Sequence, residues 1–193
     1  MTAYNVILFA HITSVIVMFG CLGADWLAIG GLRATNSAEA ARAWVRALET
    51  SAAVGPWARL AVLGAGLYLA VDGWSWQGWI IVGLLGWTTF VILGEPLTGR
   101  ELREMGGLVR AAHDPLPAAT IARLRQPRMW RAVLARVGLG VGIVFCMVVK
   151  PPAPTAAAAA TAGACVGVVF ARLTMRPRQP SLNRPTTVEG GNR

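Results

Sequence analysis

The sequence predicts an all-α protein, a polytopic bundle of transmembrane helices. The 193-residue chain is 55% hydrophobic and only 14% charged, and its mean hydropathy is +0.53. Its apolar runs approach the length that crosses a bilayer core of about 30 Å, and the basic residues fall between them. These properties are typical of polytopic membrane proteins. We therefore expect one bundle over residues 1–175 and a disordered cytoplasmic tail over 176–193.

The first predicted span covers residues 5–31 and contains His11. From Val6 to Ala24 it reads VILFAHITSVIVMFGCLGA, which is nineteen residues without a formal charge. At about 1.5 Å per residue a helix of this length crosses the bilayer core. The residues before it lack the basic segment of a secretory signal, so we expect the helix to be retained. No other apolar run contains a histidine.

Four further spans are predicted over residues 57–72, 78–95, 132–150 and 155–173. The last is rich in alanine and has the weakest insertion signal, so it needs neighbouring helices to hold it. Gly138 with Gly142, and Gly163 with Gly167, form GxxxG pairs in the last two spans. This spacing predicts close backbone contact between those helices.

The distribution of charge predicts the orientation of the bundle. In a five-span arrangement all seventeen arginines lie on one side, whereas the connections on the other side contain a single basic residue, Lys150. The positive-inside rule then places the amino terminus outside and the carboxyl terminus in the cytoplasm. The basic charge is thus a topology signal, so the expected partner is the lipid bilayer and not nucleic acid. The Ala-, Gly- and Arg-rich composition is typical of a high-GC bacterial genome, which indicates a bacterial inner membrane.

Amphipathic helices are predicted on the cytoplasmic face. In residues 36–49, Asn36 is the expected N-cap, and an apolar stripe continues through Ala41, Trp44, Val45 and Leu48. This pattern favours a separate helix lying in the membrane interface. Residues 97–126 predict two more helices, broken by the loop that contains His113. Either segment could instead dock a protein partner, and the sequence defines no oligomeric state.

Polar residues inside apolar runs are the candidates for function, because burying them in hydrocarbon is costly. Three interpretations remain open. His11 and Asp25 could hydrogen-bond to neighbouring helices. His11 could bind haem b or copper with Lys150, Met147 or Cys146 as a second ligand. A proton or small-solute path could follow His11, Asp25 and Glu95. No catalytic residue is identified. The polar residues in or beside the predicted spans are His11, Ser14, Asp25, Asp72, Glu95 and Lys150.

Two short motifs carry a family resemblance. LFAHITSVIVMFG at Leu8–Gly20 and MVVKPPAP at Met147–Pro154 resemble a bacterial family of predicted integral membrane proteins of unknown function. The chain is also distantly similar to the copper-resistance protein D and J-type protoporphyrinogen oxidase families. The oxidase resemblance implies haem b held by a first-helix histidine, matching His11, and by a later lysine, for which Lys150 is the positional candidate. The basic-aromatic motif that follows the first helix in that oxidase family is absent here.

The sequence therefore favours haem or copper handling at an outer-leaflet site around His11. One alternative is a non-catalytic membrane subunit or scaffold that docks a cytoplasmic partner. The other is a transporter of protons or small solutes.

Overall fold

A computed structural model describes residues 2–94 and 98–175 of the chain. The described residues are helical apart from short connections and contain no β-strand, which confirms the all-α class. Glu95 and the predicted tail lie outside the described residues. In chain order the helices are α1 (Ala3–Ala34), α2 (Ala38–Leu69) with a π-helical turn (Ala70–Trp74), α3 (Gly78–Gly94), α4 (Arg100–Ala111), α5 (Ala118–Leu124), α6 (Pro127–Val149) and α7 (Ala153–Thr174).

Within the described residues, four helical segments are long and apolar enough to cross a membrane: Ala3–Ala34, Ala38–Trp74, Ala118–Val149 and Ala153–Thr174. The alanine-rich segment with the weak sequence signal is one of them. The predicted third span corresponds to α3, which has only 17 residues. At about 1.5 Å per residue its length is about 26 Å, slightly less than the usual bilayer core.

The long helices form two closely packed pairs. Helix α1 lies along α2, and α6 lies along α7, while α3 packs against both α6 and α7. One end of α3 meets the start of α7, because a Cβ built on Gly78 would lie 2.7 Å from the Cβ of Ala153. The other end meets Arg136, the tenth of the 23 residues of α6, since a Cβ on Gly94 would lie 2.8 Å from its Cζ. Helix α3 therefore runs along the half of the α6–α7 pair where the two helices are connected.

The two GxxxG pairs bring α6 and α7 into backbone contact, as the spacing predicts. A Cβ on Gly138 would lie 2.8 Å from the carbonyl carbon of Gly163, and one on Gly142 would lie 2.8 Å from the Cα of Ala160. Such separations are shorter than side chains tolerate. The glycines are therefore needed for this close approach, which gives dispersion contacts where lipid provides no hydrophobic drive for helix association.

The prediction of a separate interfacial helix over residues 36–49 is wrong. This segment is the first part of α2 and continues without a break through Pro56 toward the second predicted span. The apolar stripe is buried inside the protein except at Trp44: Val45 and Leu48 are 4% and 1% exposed, whereas Trp44 is 37% exposed. Val45 and Leu48 pack against the last turns of α1 and against α4, so the stripe has a protein partner within its own chain.

The predicted N-cap is also displaced by one residue. Helix α2 begins at Ala38, and the side chain of Ser37 accepts a hydrogen bond from the backbone N–H of Ala40. The side chain of Asn36 is engaged elsewhere, because its Oδ1 accepts from the guanidinium of Arg125 at 3.0 Å. The cap is therefore the neighbouring serine, also a preferred N-cap residue, and a tertiary contact occupies the asparagine.

Helices α4 and α5 confirm the two predicted helices between the third and fourth spans. They cover the last turns of α1, the first turns of α2 and the start of α6, forming one buried apolar cluster. Hydrogen bonds fix this arrangement: Asp114 accepts from the N–H of Ala38 at 2.7 Å, and Arg33 donates to the carbonyl of Arg125 at 2.7 Å. We call this end of the bundle the arginine end and the opposite one the Lys150 end. Docking of a protein partner on the helices of the arginine end stays a prediction.

Candidate cofactor site

A cavity of about 300 Å³ lies toward the Lys150 end, between the α1–α2 pair on one side and α3 and α6 on the other. We call it the outer cavity. Its wall is mainly apolar and unusually rich in aromatic rings. Four of its side chains carry nitrogen or sulfur atoms that could serve as ligands, namely His11, Met18, Met147 and Lys150. The aromatic residues of the wall are Tyr4, Phe19, Trp74, Trp76, Trp79, Trp87 and Phe90.

His11 is held in one tautomer by a contact between α1 and α2. Its Nδ1 lies 3.1 Å from the carbonyl oxygen of Val62. A carbonyl only accepts, so Nδ1 carries the proton in the neutral imidazole and Nε2 keeps its lone pair. Among the described residues Nε2 has no hydrogen-bond partner. An oriented imidazole with its second nitrogen available is the usual arrangement of a metal-ligating histidine.

Gly66 makes this position of His11 attainable. It lies one turn after Val62 on α2, and a Cβ built on it would be 3.2 Å from Cε1 and 3.5 Å from Nδ1 of the ring. Any larger residue would push against the imidazole that donates to Val62. The sequence predicts neither the Val62 carbonyl as the acceptor nor the role of Gly66. The Gly-Ala-Gly segment within an apolar span is the signal that indicates space for a neighbouring side chain.

Lys150 closes the Lys150 end of the outer cavity. It ends α6 in the left-handed conformation, with φ 53° and ψ 49°, and two prolines follow it. Its ammonium lies 3.6 Å from the centroid of the Trp74 ring, a cation–π contact. The indole of Trp74 in turn donates to the hydroxyl of Tyr4 at 3.1 Å. Trp74 thus links the lysine to Tyr4 of α1.

Met147 reaches the outer cavity from α6, on the side opposite the α1–α2 pair. Its methyl group lies over Gly83 of α3, where a Cβ would be only 2.7 Å from Cε. Met18 also lines the cavity, but it follows His11 by seven residues on the same helix, about 10 Å along the axis. That separation disfavours His11 and Met18 as two ligands of one metal ion, because such ligands lie about 2.0–2.3 Å from the metal.

Trp87 contributes a buried donor to the same wall. Its indole Nε1 is inaccessible to solvent and makes no hydrogen bond with the described part of the protein. A buried N–H without an acceptor costs free energy, so such groups usually have a partner in the functional state. Nothing in the sequence distinguishes this tryptophan among the eight of the chain.

Three predicted polar or sulfur residues lie away from the outer cavity. Cys146 is fully buried on the other side of α6, where its thiol donates to the carbonyl of Ala156 at 3.4 Å. Asp72 is exposed on the π-helical turn. The hydroxyl of Ser14 donates to the carbonyl of Ala10 within its own helix at 2.7 Å. These positions argue against Cys146 as a ligand alongside His11.

Asp25 belongs to a second cavity, of about 170 Å³, toward the arginine end. Met18 and Phe90 border both cavities, and they belong to a buried apolar cluster that includes Leu22. The stripe from His11 to Asp25 is therefore interrupted by packed apolar side chains within the described structure. A proton path along this face would have to cross that cluster, which the close packing disfavours.

The chain was compared with known protein families, proteins and structures. No family model, curated protein or solved structure matches the sequence.

Proposed function

We propose that this protein binds haem b in the outer cavity, with His11 as the residue that would hold the iron. The observation that carries the proposal is the imidazole fixed by Val62, with Nε2 left available on the wall of an aromatic cavity. A volume of about 300 Å³ lies at the lower end of the usual range for ligand pockets, about 300–1,000 Å³. The resemblance of the His11 and Lys150 segments to a haem-holding oxidase family supports the same ligand.

The donor set favours haem over copper. A Cu(II) ion in a protein takes three or more ligands, mostly nitrogen and sulfur donors. In the described residues Cys146 faces away and Met18 lies about 10 Å along α1 from His11, so His11 and Met147 are the nearest donors that remain beside Lys150. The described chain also contains no group of three or more His, Cys, Asp or Glu side chains that could hold a metal ion. Haem requires only one or two axial ligands, because the porphyrin supplies the other four.

Each residue of the wall has a defined task in this proposal. His11 would hold the iron, and the Val62 carbonyl fixes the imidazole tautomer. Met147 is the candidate for a second ligand, since thioether sulfur is an established ligand of haem iron. Lys150, at the mouth of the cavity, would pair its positive charge with the haem carboxylates and so act as a counter-ion rather than as a ligand. Bound haem would supply one-electron redox chemistry.

Haem titration of the purified protein tests the proposal. Haem added to the wild type is expected to give a red-shifted, saturable Soret band with one haem per chain. His11→Ala removes the nitrogen ligand and should weaken haem binding by at least about 100-fold, more than the loss of an outer partner causes. Absorbance titration in detergent measures both affinities.

His113→Ala is the matched control, because His113 is the second of two histidines and lies exposed in the loop between α4 and α5. It should bind haem like the wild type. A Soret band retained in His11→Ala, or a wild type that binds no haem, would overturn the proposal.

We also propose that α3 crosses the membrane as a fifth span, with the amino terminus outside a bacterial inner membrane. The packing of α3 along the α6–α7 pair supports this count, and the gathering of arginines at one end supports the orientation. The slightly short α3 can be accommodated by local thinning of the bilayer.

Cysteine labelling measures this topology. In a background with Cys21, Cys146 and Cys165 replaced by alanine, Ser75→Cys should react with an impermeant maleimide on intact cells. His113→Cys should react only after permeabilisation. Both positions are exposed. Labelling of both on intact cells would refute the fifth span, and the reversed pattern would refute the orientation.

A further inference from the structure

A patch of arginine and tryptophan side chains lies at the arginine end, where α1 and α6 meet the turn that precedes α6. Trp130 of α6 lies at its centre. The centroid of its ring is 6.5 Å from that of Trp26, and the Cζ of Arg33 is 5.9 Å from it. On the side of α7, its indole donates to the hydroxyl of Thr174 at 2.9 Å. Trp130 thus connects α1 with α6 and α7. We call the group formed by Trp26, Arg33, Arg125 and Trp130 the Arg33 patch.

The guanidinium of Arg33 is held in place by neutral acceptors. Its Nη1 donates to the backbone carbonyls of Arg125 and Gln126, at 2.7 and 3.0 Å. Both bonds use the same terminal nitrogen, so the N–H groups of Nη2 and Nε have no hydrogen-bond partner in the described part of the chain. Carbonyl groups satisfy donors but carry no formal charge. Arg33 is therefore fixed in position while its positive charge and three of its five N–H groups stay available to a ligand.

Arg125 adds a second cation to the patch. Its backbone accepts from Arg33, and its exposed side chain donates through Nη2 to the neutral amide oxygen of Asn36 at 3.0 Å. Within residues 2–94 and 98–175, neither Arg33 nor Arg125 makes an ion pair with a carboxylate, whereas Arg110 on α4 pairs with Glu49. Two guanidinium groups held by neutral acceptors on one short stretch of chain repel each other, and a bound anion would remove this repulsion.

The Arg33 patch lies at the border of the apolar outer surface. Trp26 is 38% exposed, and large apolar side chains beside it on α1 and α7 are more exposed, with Leu27 at 64% and Phe170 at 45%. In a membrane-embedded bundle such side chains contact lipid. Indole rings are enriched at the depth of the lipid headgroups, because they combine an apolar ring with one N–H donor. The two arginines of the patch are therefore placed at headgroup depth, next to the surface along which acyl chains pack.

We propose that the Arg33 patch binds the headgroup of an anionic phospholipid. Guanidinium forks match the oxygens of a phosphate group and bind them through paired, charge-assisted hydrogen bonds. Basic pockets between transmembrane helices are typical sites for such headgroups. A phosphate held by Arg33 and Arg125 would tie the end of α1 to the start of α6, and so join the α1–α2 pair to the rest of the bundle. Neither His11 nor Lys150 belongs to the patch, so this inference does not depend on the haem proposal.

Lipid retention by the full-length protein tests the inference. Native mass spectrometry in detergent compares the retention of phosphatidylglycerol, which carries a net negative charge, with that of zwitterionic phosphatidylcholine. The wild type is expected to retain phosphatidylglycerol preferentially. Calorimetric titration with inorganic phosphate is expected to show no saturable binding, because soluble phosphate lacks the acyl chains that pack beside the patch. Equal retention of the two lipids would overturn the inference, and saturable phosphate binding that Arg125→Gln weakens would replace the lipid by a soluble anion.

Arg125→Gln should weaken phosphatidylglycerol retention by about fivefold, the effect of one basic residue near an anionic headgroup. The substitution removes the charge but keeps the backbone carbonyl to which Arg33 donates. Arg125→Glu should weaken retention further, by about 25-fold, because the new carboxylate also neutralises Arg33. Arg46→Gln and Arg46→Glu are the controls, since Arg46 is an exposed arginine of α2 outside the patch. They should change retention less than twofold. Equal losses at the two positions would indicate unspecific attraction and overturn the inference.

Discussion

Gly163→Val is expected to separate α6 from α7 and to cause a large loss of stability. A Cβ at this position would lie 3.1 Å from the carbonyl carbon of Gly138 and 3.3 Å from the backbone nitrogen of Gly142. Backbone atoms cannot rotate away as side chains do, so the helices must move apart. Overpacking typically costs about 1–3 kcal/mol, and the lost contacts along the pair add to it. Unfolding in a titration with sodium dodecyl sulfate, followed by circular dichroism, measures the effect.

Gly20→Val provides the comparison for this experiment. Gly20 lies on α1, is exposed, and has nothing within 4 Å of a built Cβ. The substitution introduces the same β-branched side chain into a transmembrane helix without a steric conflict, so stability should change by less than about 0.5 kcal/mol. Similar losses of stability in the two variants would show that the α6–α7 contact is no more sensitive to an added side chain than an exposed helix position.

Gly66→Leu is expected to block the outer cavity while leaving the fold intact. The added side chain meets the His11 ring, whose Cε1 would be 3.2 Å from the new Cβ, and displaces it from the Val62 carbonyl. The imidazole then loses its orienting hydrogen bond, and part of the cavity is filled. Haem affinity should fall by about 10- to 100-fold, the usual effect of removing an outer partner of a ligating histidine. Soret titration measures the change.

Gly64→Leu, two residues earlier on α2, is the matched control. It adds the same side chain to an exposed position with nothing within 4 Å. Both variants should unfold at similar detergent concentrations, and only Gly66→Leu should lose haem. If Gly66→Leu binds haem as tightly as Gly64→Leu, the His11 ring does not bind haem while it is hydrogen-bonded to the Val62 carbonyl.

Much of the fold is predictable from the sequence, because the lipid environment imposes strong rules on composition. The apolar runs and the GxxxG spacing predict the long helices and the α6–α7 contact. The prediction for segment 36–49 is wrong because an amphipathic stripe does not tell whether its apolar side meets lipid or protein. Only the tertiary position of α4 shows that Val45 and Leu48 are covered by the chain itself.

The candidate site is predictable in part. His11, Met147 and Lys150 share a cavity, as their common depth in the membrane predicts, whereas Cys146 does not line it. Its displacement could have been foreseen, because Gly138, Gly142 and Cys146 recur every fourth residue and so lie on one face of α6. That face meets α7, and Met147, one residue further along, is turned by about 100° toward α3. The Val62 carbonyl could not be predicted, since any residue type supplies one.

The division of the bundle into an α1–α2 pair and an α3–α6–α7 group determines how a ligand reaches the outer cavity. Helices α2 and α3 follow each other in the chain but make few contacts along their lengths, and the side chains between them are apolar. Under the proposed haem function, a hydrophobic ligand dissolved in the bilayer would then enter the outer cavity from the side, between α2 and α3. The occupancy of the cavity would follow the concentration of the ligand in the membrane, so detergent micelles and native membranes would give different apparent affinities for the same site.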